Sequence, residues 1–228
     1  MMRATSKRFV IIPAGGSGSR MQSELPKQFL LLHDVPVIVH TLRLFLAVDG
    51  IEKIIVPVAD SWKNYFIELQ SKYSLPDKIE TVTGGETRFH SVKNALQVLP
   101  EEGIVSIHDA ARPLASKELI EKCFSVTVEN GSAVAAISLR DSVYKIKKVE
   151  TKSVNRNNYR LAQTPQCFQL SEIKKAYKQN YLENFTDDAS VFEAAGYEVN
   201  LTEGETTNFK ITTPEDLLFA EIILKNRK

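Results

Sequence analysis

Short, almost wholly apolar runs alternate with longer amphipathic stretches from the start of the chain to Ile137. "FVIIP" (9–13), "KIIVPV" (53–58), "IETVTG" (79–84), "GIVSIHD" (103–109) and "AVAAI" (133–137) have the length and β-branched content of buried parallel strands. Between them "PVIVHTLRLFLAV", "SWKNYFIELQSKY", "TRFHSVKNALQVL" and "SKELIEKCFSVTVEN" read as helices, with Pro36, Ser61, Thr87 and Ser116 at positions that suit a helix start. Strand and helix in regular alternation predict βαβ units, hence an α/β fold with a doubly wound, mainly parallel sheet. Ligands of such sheets collect outside the carboxyl ends of the strands, so the loops that follow the strands are where chemistry is to be sought.

The rhythm breaks after Ile137. "SLRDSVYKIKKVETKSVNRNNYRLAQTPQCF" alternates polar and apolar residues, lacks helical periodicity and carries turn signals at Asn155 to Asn158. It predicts an extended β-arm leaving the main sheet at about 138–164. Beyond it, "SEIKKAYKQNYL" and "DDASVFEAAG" read as helices, the second ending at Gly196, then "YEVNLTEG" as a strand and a last helix from Pro214 to about Lys225. No internal repeat or low-complexity linker interrupts the chain, and a single domain over 1–228 is the expectation.

Composition narrows the function classes. A chain of 228 residues can bury a sizeable core without metals or disulfides. With 29 basic against 28 acidic residues there is no field suited to a nucleic acid, which is excluded as the main partner. Cys123 and Cys167 belong to no C-x-x-C motif and read as structural free thiols. "MMRATSKR" leads into too short an apolar run for a signal peptide, and no run of about 18 apolar residues occurs, so a cytoplasmic protein with no membrane partner is expected.

Five stretches place polar groups where strands should end: "IPAGGSGSRMQSELPKQFL" (12–30), "TGGETRFHS" (83–91), "HDAARP" (108–113), "AQTPQ" (162–166) and "NFKITTPEDL" (208–217). The first is neither of the two common nucleotide loops. Counted from Gly15, a Walker loop would carry its second glycine where Arg20 stands and its lysine where Met21 stands, and a dinucleotide loop counted from Gly16 would carry its third glycine where Met21 stands. Its glycines Gly15, Gly16 and Gly18 still allow backbone N–H groups to approach phosphate oxygens. Asp109 and Arg112 follow a buried strand, where they suit hydroxyls or a phosphate, or form a local ion pair. Gly84 and Gly85 suit a turn, Thr87 a cap, and His90 helix packing. Thr213, Pro214, Glu215 and Asp216 satisfy the start of the last helix by themselves, so Lys210 is not needed for capping. The Asp187-Asp188 pair fits a helix N-terminus better than a metal site.

In order and content these stretches resemble the nucleotidyltransferases that make CDP-linked alcohols, specifically the 2-C-methyl-D-erythritol 4-phosphate cytidylyltransferase family of the non-mevalonate isoprenoid pathway. "HDAARP" together with "AQTPQ" carries the resemblance, which spans essentially the whole chain. It implies a Rossmann-like nucleotidyltransferase fold and a reaction in which a phosphate monoester attacks the α-phosphorus of CTP and pyrophosphate leaves. Such a monoester has a second pKa near ~6 and is already ionised at neutral pH, so fixed positive charge and positioning are needed rather than a general base.

The resemblance also implies roles. Arg20 and Lys27 hold the triphosphate and stabilise the transition state, while Ala14, Gly15, Gly16 and Gly18 approach the nucleotide. Gly85 and Glu86 read the cytosine edge, Ser91 contacts the nucleoside, and Asp109 serves both nucleotide and acceptor. Arg112, Thr164 and Thr186 face the acceptor, Lys210 approaches the reacting phosphates, and Ser142 and Arg156 reach across a homodimer into the partner's site on an exchanged β-arm. Magnesium is implied as a cofactor bound mainly through the CTP phosphates, with no protein ligand specified. This chain departs from the family pattern at Gly15 for alanine, Ser19 for a basic residue, Ser142 for threonine and Asn155 for aspartate beside Arg156.

Four rivals stay open on sequence. A ribitol 5-phosphate cytidylyltransferase shares the loop and "KITT", but "HDAARP" and "LAQTPQ" favour methylerythritol phosphate. A UTP- or TTP-dependent hexose-phosphate enzyme would carry an added repeat domain. A non-catalytic nucleotide-binding module would not need Lys27 and Lys210 on opposite sides of one phosphate. An NAD oxidoreductase would need the missing third glycine.

Overall fold

The structure is a computed structural model that describes residues 6–16 and 25–227. Gly18 and Arg20 lie outside the described residues. In chain order the elements are β1 (Arg8–Ile11), β2 (Leu31–Leu32), β3 (Val35–Pro36), α1 (Val37–Leu46), β4 (Ile51–Val58), α2 (Asp60–Lys72), β5 (Ile79–Thr83), α3 (Arg88–Gln97) and β6 (Ile104–Ile107). The second half has α4 (Lys117–Asn130), β7 (Ser132–Ser138), β8 (Val143–Lys147), β9 (Glu150–Val154), β10 (Arg160–Gln169), α5 (Leu170–Ala176), α6 (Asp188–Ala194), β11 (Leu201–Glu203) and α7 (Pro214–Asn226).

Seven strands form the central sheet in the order β11-β7-β10-β6-β1-β4-β5. All neighbours are parallel except β10, which runs antiparallel to both β6 and β7. The period of two along β1 explains why the sheet is covered twice. Val10 and Ile12 enter one apolar cluster with α1, α2 and α4, through Leu42, Phe45, Phe66 and Phe124. Phe9 and Ile11 enter the other with α3, α5 and α6, through Phe89, Leu96, Ile173 and Phe192. A third cluster of Leu32, Val37, Leu114, Ile211 and Ala220 seats α7 beside the carboxyl end of β6. The doubly wound α/β architecture read from the sequence is therefore the one observed.

Several boundaries differ. Thr87 and Ser116 cap α3 and α4 through side-chain oxygens that accept from His90 N–H and Leu119 N–H. Pro36 immediately precedes α1, but α2 starts one residue before Ser61, at Asp60. The helix expected from "SEIKKAYKQNYL" ends at Ala176, where Tyr177 turns inward and is buried.

The arm expected over 138–164 is a hairpin of β8 and β9, paired only with each other among the described residues. The chain then returns as β10, so "AQTPQ" lies inside a central strand and not at a strand end. Its polar residues do not mark a strand end, because Gln163, Thr164 and Gln166 are all buried and satisfied by distant partners. Pro165, which has no N–H to give the ladder, falls where the β10–β7 register shifts between Ala162 and Gln166.

Candidate active site

A cavity of about 530 Å³ opens at the carboxyl ends of the parallel strands. The segments after β1, β5 and β6 meet there, with Lys27 and Lys210 on its wall. The chain after β1 keeps β-pairing past the strand end, with Ile12 N–H donating to Ile55 O and Ala14 N–H to Pro57 O, both at 2.9 Å. Gln28, buried, then clamps the turn by donating from Nε2 to Ala14 O at 2.6 Å and Gly16 O at 3.2 Å. Gly15 and Gly16 thus present exposed backbone to the cavity. Lys27 begins a single 3₁₀ turn after Pro26, and its ammonium donates to Ile211 O at 2.8 Å.

The turn after β5 is built around one glycine. A Cβ on Gly85 would stand 2.3 Å from His90 Cβ, so any side chain there would displace the start of α3. Gly85 N–H donates to Ser91 Oγ at 3.0 Å, and Ser91 Oγ donates to Thr87 O at 3.0 Å. Ser91 is buried and borders the cavity, holding the shape of the turn from below, while Glu86 is exposed on the cavity wall. His90 packs against Phe89 and Tyr181, as its assignment to helix packing requires.

After β6, Asp109 is the electrostatic centre. Oδ2 accepts from Arg112 Nε at 3.1 Å and pairs with Lys210 Nζ at 3.1 Å, and Oδ1 lies 3.5 Å from Arg88 Nε. Burial alone would raise the carboxyl pKa, but Lys210, Arg88 and Arg112 hold it well below the usual carboxylate range. Arg88 is paired besides with Asp188, so three cations against two carboxylates leave net positive charge beside the cavity, a condition for binding a polyanion. Arg112 also donates from Nη1 to Asn208 O at 2.8 Å and is mostly buried, so it ties the strand end to the Lys210 segment rather than lining the cavity.

Beneath Asp109 runs a buried hydrogen-bond chain. Asp109 N–H donates to Thr164 Oγ1 at 3.0 Å, and Thr164 Oγ1 lies 3.1 Å from His108 Nδ1. His108 Nε2 lies 3.0 Å from Arg112 O, which can only accept, so Nε2 carries the proton and Nδ1 accepts from the threonine. The hydroxyl of Thr164 therefore donates to His108 Nδ1 and accepts from Asp109 N–H, and does not face the cavity.

Arg88, which was not singled out in the sequence, lies on the cavity wall. It donates from Nη1 and Nη2 to the two oxygens of Asp188 at 2.9 and 2.5 Å, and Asp188 also accepts from Tyr177 OH at 2.6 Å. Burial works to lower the guanidinium pKa, but Asp188 and Asp109 together raise it. The reading of the aspartate pair as a helix start holds for Asp187, which forms a capping box with Ser190. Its neighbour Asp188 is the buried counter-ion of Arg88, and no group of three or more metal-ligating side chains exists among the described residues.

The structure thus brings Gly15, Gly16, Lys27, Gly85, Glu86, Ser91, Asp109 and Lys210 onto one cavity. Ser142, Arg156 and Thr186 are exposed and do not line it. Gln28 and Arg88 were missed, their only signal being position inside stretches already picked out, and Asp188 carried only the signal of a helix start.

Comparison with known proteins agrees with the geometry. Residues 9–226 match the sequence profile of the family described as 2-C-methyl-D-erythritol 4-phosphate cytidylyltransferase. The chain is 42% identical to the protein of that name from Phocaeicola vulgatus, over 95% of this chain and 99% of the relative. With the one from Bacillus velezensis it shares 40% identity over 95% of each. The crystal structure of 4-diphosphocytidyl-2C-methyl-D-erythritol synthase from Anaerococcus prevotii superposes with a TM-score of 0.84 at 29% identity, covering 97% of both chains. The Francisella tularensis 2-C-methyl-D-erythritol 4-phosphate cytidylyltransferase gives 0.79 at 35% identity, covering 95% of this chain and 99% of that one. By its profile, its relatives and its fold, the chain belongs to the 2-C-methyl-D-erythritol 4-phosphate cytidylyltransferase family.

Proposed function

We propose that the protein transfers the cytidylyl group of CTP to 2-C-methyl-D-erythritol 4-phosphate, releasing pyrophosphate and 4-diphosphocytidyl-2-C-methyl-D-erythritol in isoprenoid precursor synthesis. The observation that carries this is the convergence of Lys27, Arg88 and Lys210 from three separate segments onto one cavity beside Asp109. An oxygen of the ionised phosphate monoester attacks the α-phosphorus, the bond from that phosphorus to the bridging oxygen breaks, and the electron pair leaves with pyrophosphate. No proton has to be removed from the nucleophile. Two anions must instead be held together while charge builds on the leaving group, which fixed cations do at no cost of reorganisation.

Lys27 is suited to the triphosphate, because its ammonium stands on the cavity wall, steadied by the Ile211 carbonyl. Lys210 approaches from the opposite segment and orients the acceptor phosphate. Arg20 and Gly18 complete the phosphate loop in this proposal. The turn of Gly85 and Glu86 receives the cytosine, with Ser91 beneath it, and Asp109 and the Arg112 pair define the sugar side. Thr164 acts by fixing Asp109. Magnesium, when bound to the nucleotide, neutralises phosphate oxygens. Both Asp109 oxygens already face cations, so this donor set fits an ion carried by CTP and reached through water, not one caged by protein.

A homodimer is part of the proposal: Ser142, Arg156 and Thr186 lie off the cavity of their own chain, and the hairpin whose base the first two flank is available to a neighbour. A cytoplasmic location is also part of it, supported by the two buried free thiols, Cys123 and Cys167. No helix among the described residues is long and apolar enough to cross a membrane. Turnover with CTP, magnesium and either 2-C-methyl-D-erythritol 4-phosphate or ribitol 5-phosphate, read as pyrophosphate release, tests the reading. Only the first acceptor should react well, and Lys27→Ala and Lys210→Ala should each lower kcat by about 10²-fold or more. Near-normal turnover in either variant would overturn the assignment.

A further inference from the structure

We propose that Arg88 is a positioning residue for the transfer: by sharing the Asp109 carboxylate with Lys210, it keeps the Lys210 ammonium exchangeable between Asp109 and the reacting phosphates. The inference rests on the cytidylyl-transfer reading and adds a residue to it.

The three cations around Asp109 are not equivalent. Arg112 is fixed by Asn208 O, and Arg88 by a bidentate pair to Asp188. That anchor is itself rigid. Asp188 is fully buried, accepts from Tyr177 OH, and occupies the first turn of α6. The same turn is pinned to β10 by Gln166, which accepts from Ala189 N–H at 2.9 Å and donates to Asp187 Oδ2 at 2.8 Å. Asp109 is pinned from its backbone by Thr164. Neither guanidinium can follow a substrate, whereas Lys210 has a side chain 37% exposed and a flexible stem.

A carboxylate satisfied by two immobile guanidinium groups holds its third cation less firmly than one satisfied by Arg112 alone. Removing the Arg88 charge from Asp109 therefore transfers that demand to Lys210, and the ammonium is withheld from the phosphates. Arg88 touches Asp109 through Nε while its Nη edge is spent on Asp188, a geometry only a planar, multi-donor cation provides.

A double-mutant cycle separates this from a purely structural role. Removing Arg88 alone would strand a buried carboxylate, so Arg88→Met is combined with Asp188→Asn, and folding is verified by circular dichroism and thermal unfolding. The paired variant should lower kcat about tenfold or more in the wild-type background, yet change it less than about twofold in the Lys210→Ala background, because the effect passes through Lys210. Losses that multiply across the two backgrounds would overturn the proposal. Should the paired variant fail to fold, Arg88→Lys keeps the charge on Asp188 but cannot span to Asp109, and the same dependence on Lys210 is expected of it. Wild-type protein without CTP-dependent pyrophosphate release would remove the functional reading itself; normal wild-type turnover with multiplicative losses would remove only the role of Arg88.

Discussion

At the scale of single residues, the site is governed by what each polar atom is bonded to rather than by residue type. His108 and Asp109 are adjacent and both buried, yet their titrations move in ways that affect stability over different ranges. Burial lowers the His108 pKa from 6.5 to about 4. The folded protein therefore keeps the imidazole neutral while the unfolded chain takes up a proton as pH falls below 6.5. Acidification from that point towards pH 4 favours the unfolded state, by about 3 kcal/mol at most once the window has been crossed. Asp109 acts in the same direction over a lower range: its depressed pKa stabilises the fold above the unfolded carboxyl value of about 3.9, and that stability is lost only in stronger acid. A urea titration series from neutrality to pH 4 should show the His108 slope, and His108→Gln should flatten it. An unchanged slope in that variant would show that His108 is not the group being protonated.

At the scale of elements, α6 shows how a short helix is made dependable. Seven residues are too few to be stable alone, and the capping box of Asp187 and Ser190 together with Gln166 supplies what propensity does not. Asp187→Ala should lower unfolding free energy by about 1–2 kcal/mol, and Asp187→Asn should recover only part of it, since the amide oxygen still caps Ser190 N–H while the amide nitrogen meets the Gln166 donor; denaturant midpoints decide the matter. The elements that sequence reasoning read correctly share one property. β1, β4, β6 and β7 are covered on both faces, so nearly every position had to be apolar, and the run announced the strand. β10 is buried from Gln163 to Phe168, yet its sequence reads as part of an arm. Gln163, Thr164 and Gln166 are tolerated inside it because Asn208, Asp109 N–H and Ala189 N–H reach them from elsewhere in the chain, and no local pattern encodes those partners.

At the scale of the whole molecule, the same limit shapes what could be read of the site. Lys27, Gly85, Asp109 and Lys210 stand out because each belongs to a short polar motif between elements, but Arg88 acquires its meaning from Asp188, 100 positions later. The hairpin of β8 and β9 poses the remaining question at this scale. It pairs only with itself among the described residues and exposes Tyr144 and Ile146, the latter at 72%. A two-stranded hairpin of this kind is marginal in water, and docking on a second subunit would supply the missing apolar contact. If Arg156 acts in the partner's site, Arg156→Ala should impair acceptor use while leaving CTP binding intact, and it should be complemented by Lys27→Ala. In a mixed dimer of the two, one site carries both lesions and the other carries neither. Equal mixing yields about half mixed dimers with one intact site each, hence about a quarter of wild-type activity from two nearly inactive proteins. The measurement is pyrophosphate release after co-refolding, with mixed dimers verified by differential tags. Activity that stays at the sum of the two parents would place Arg156 in service of its own chain and remove the exchanged arm.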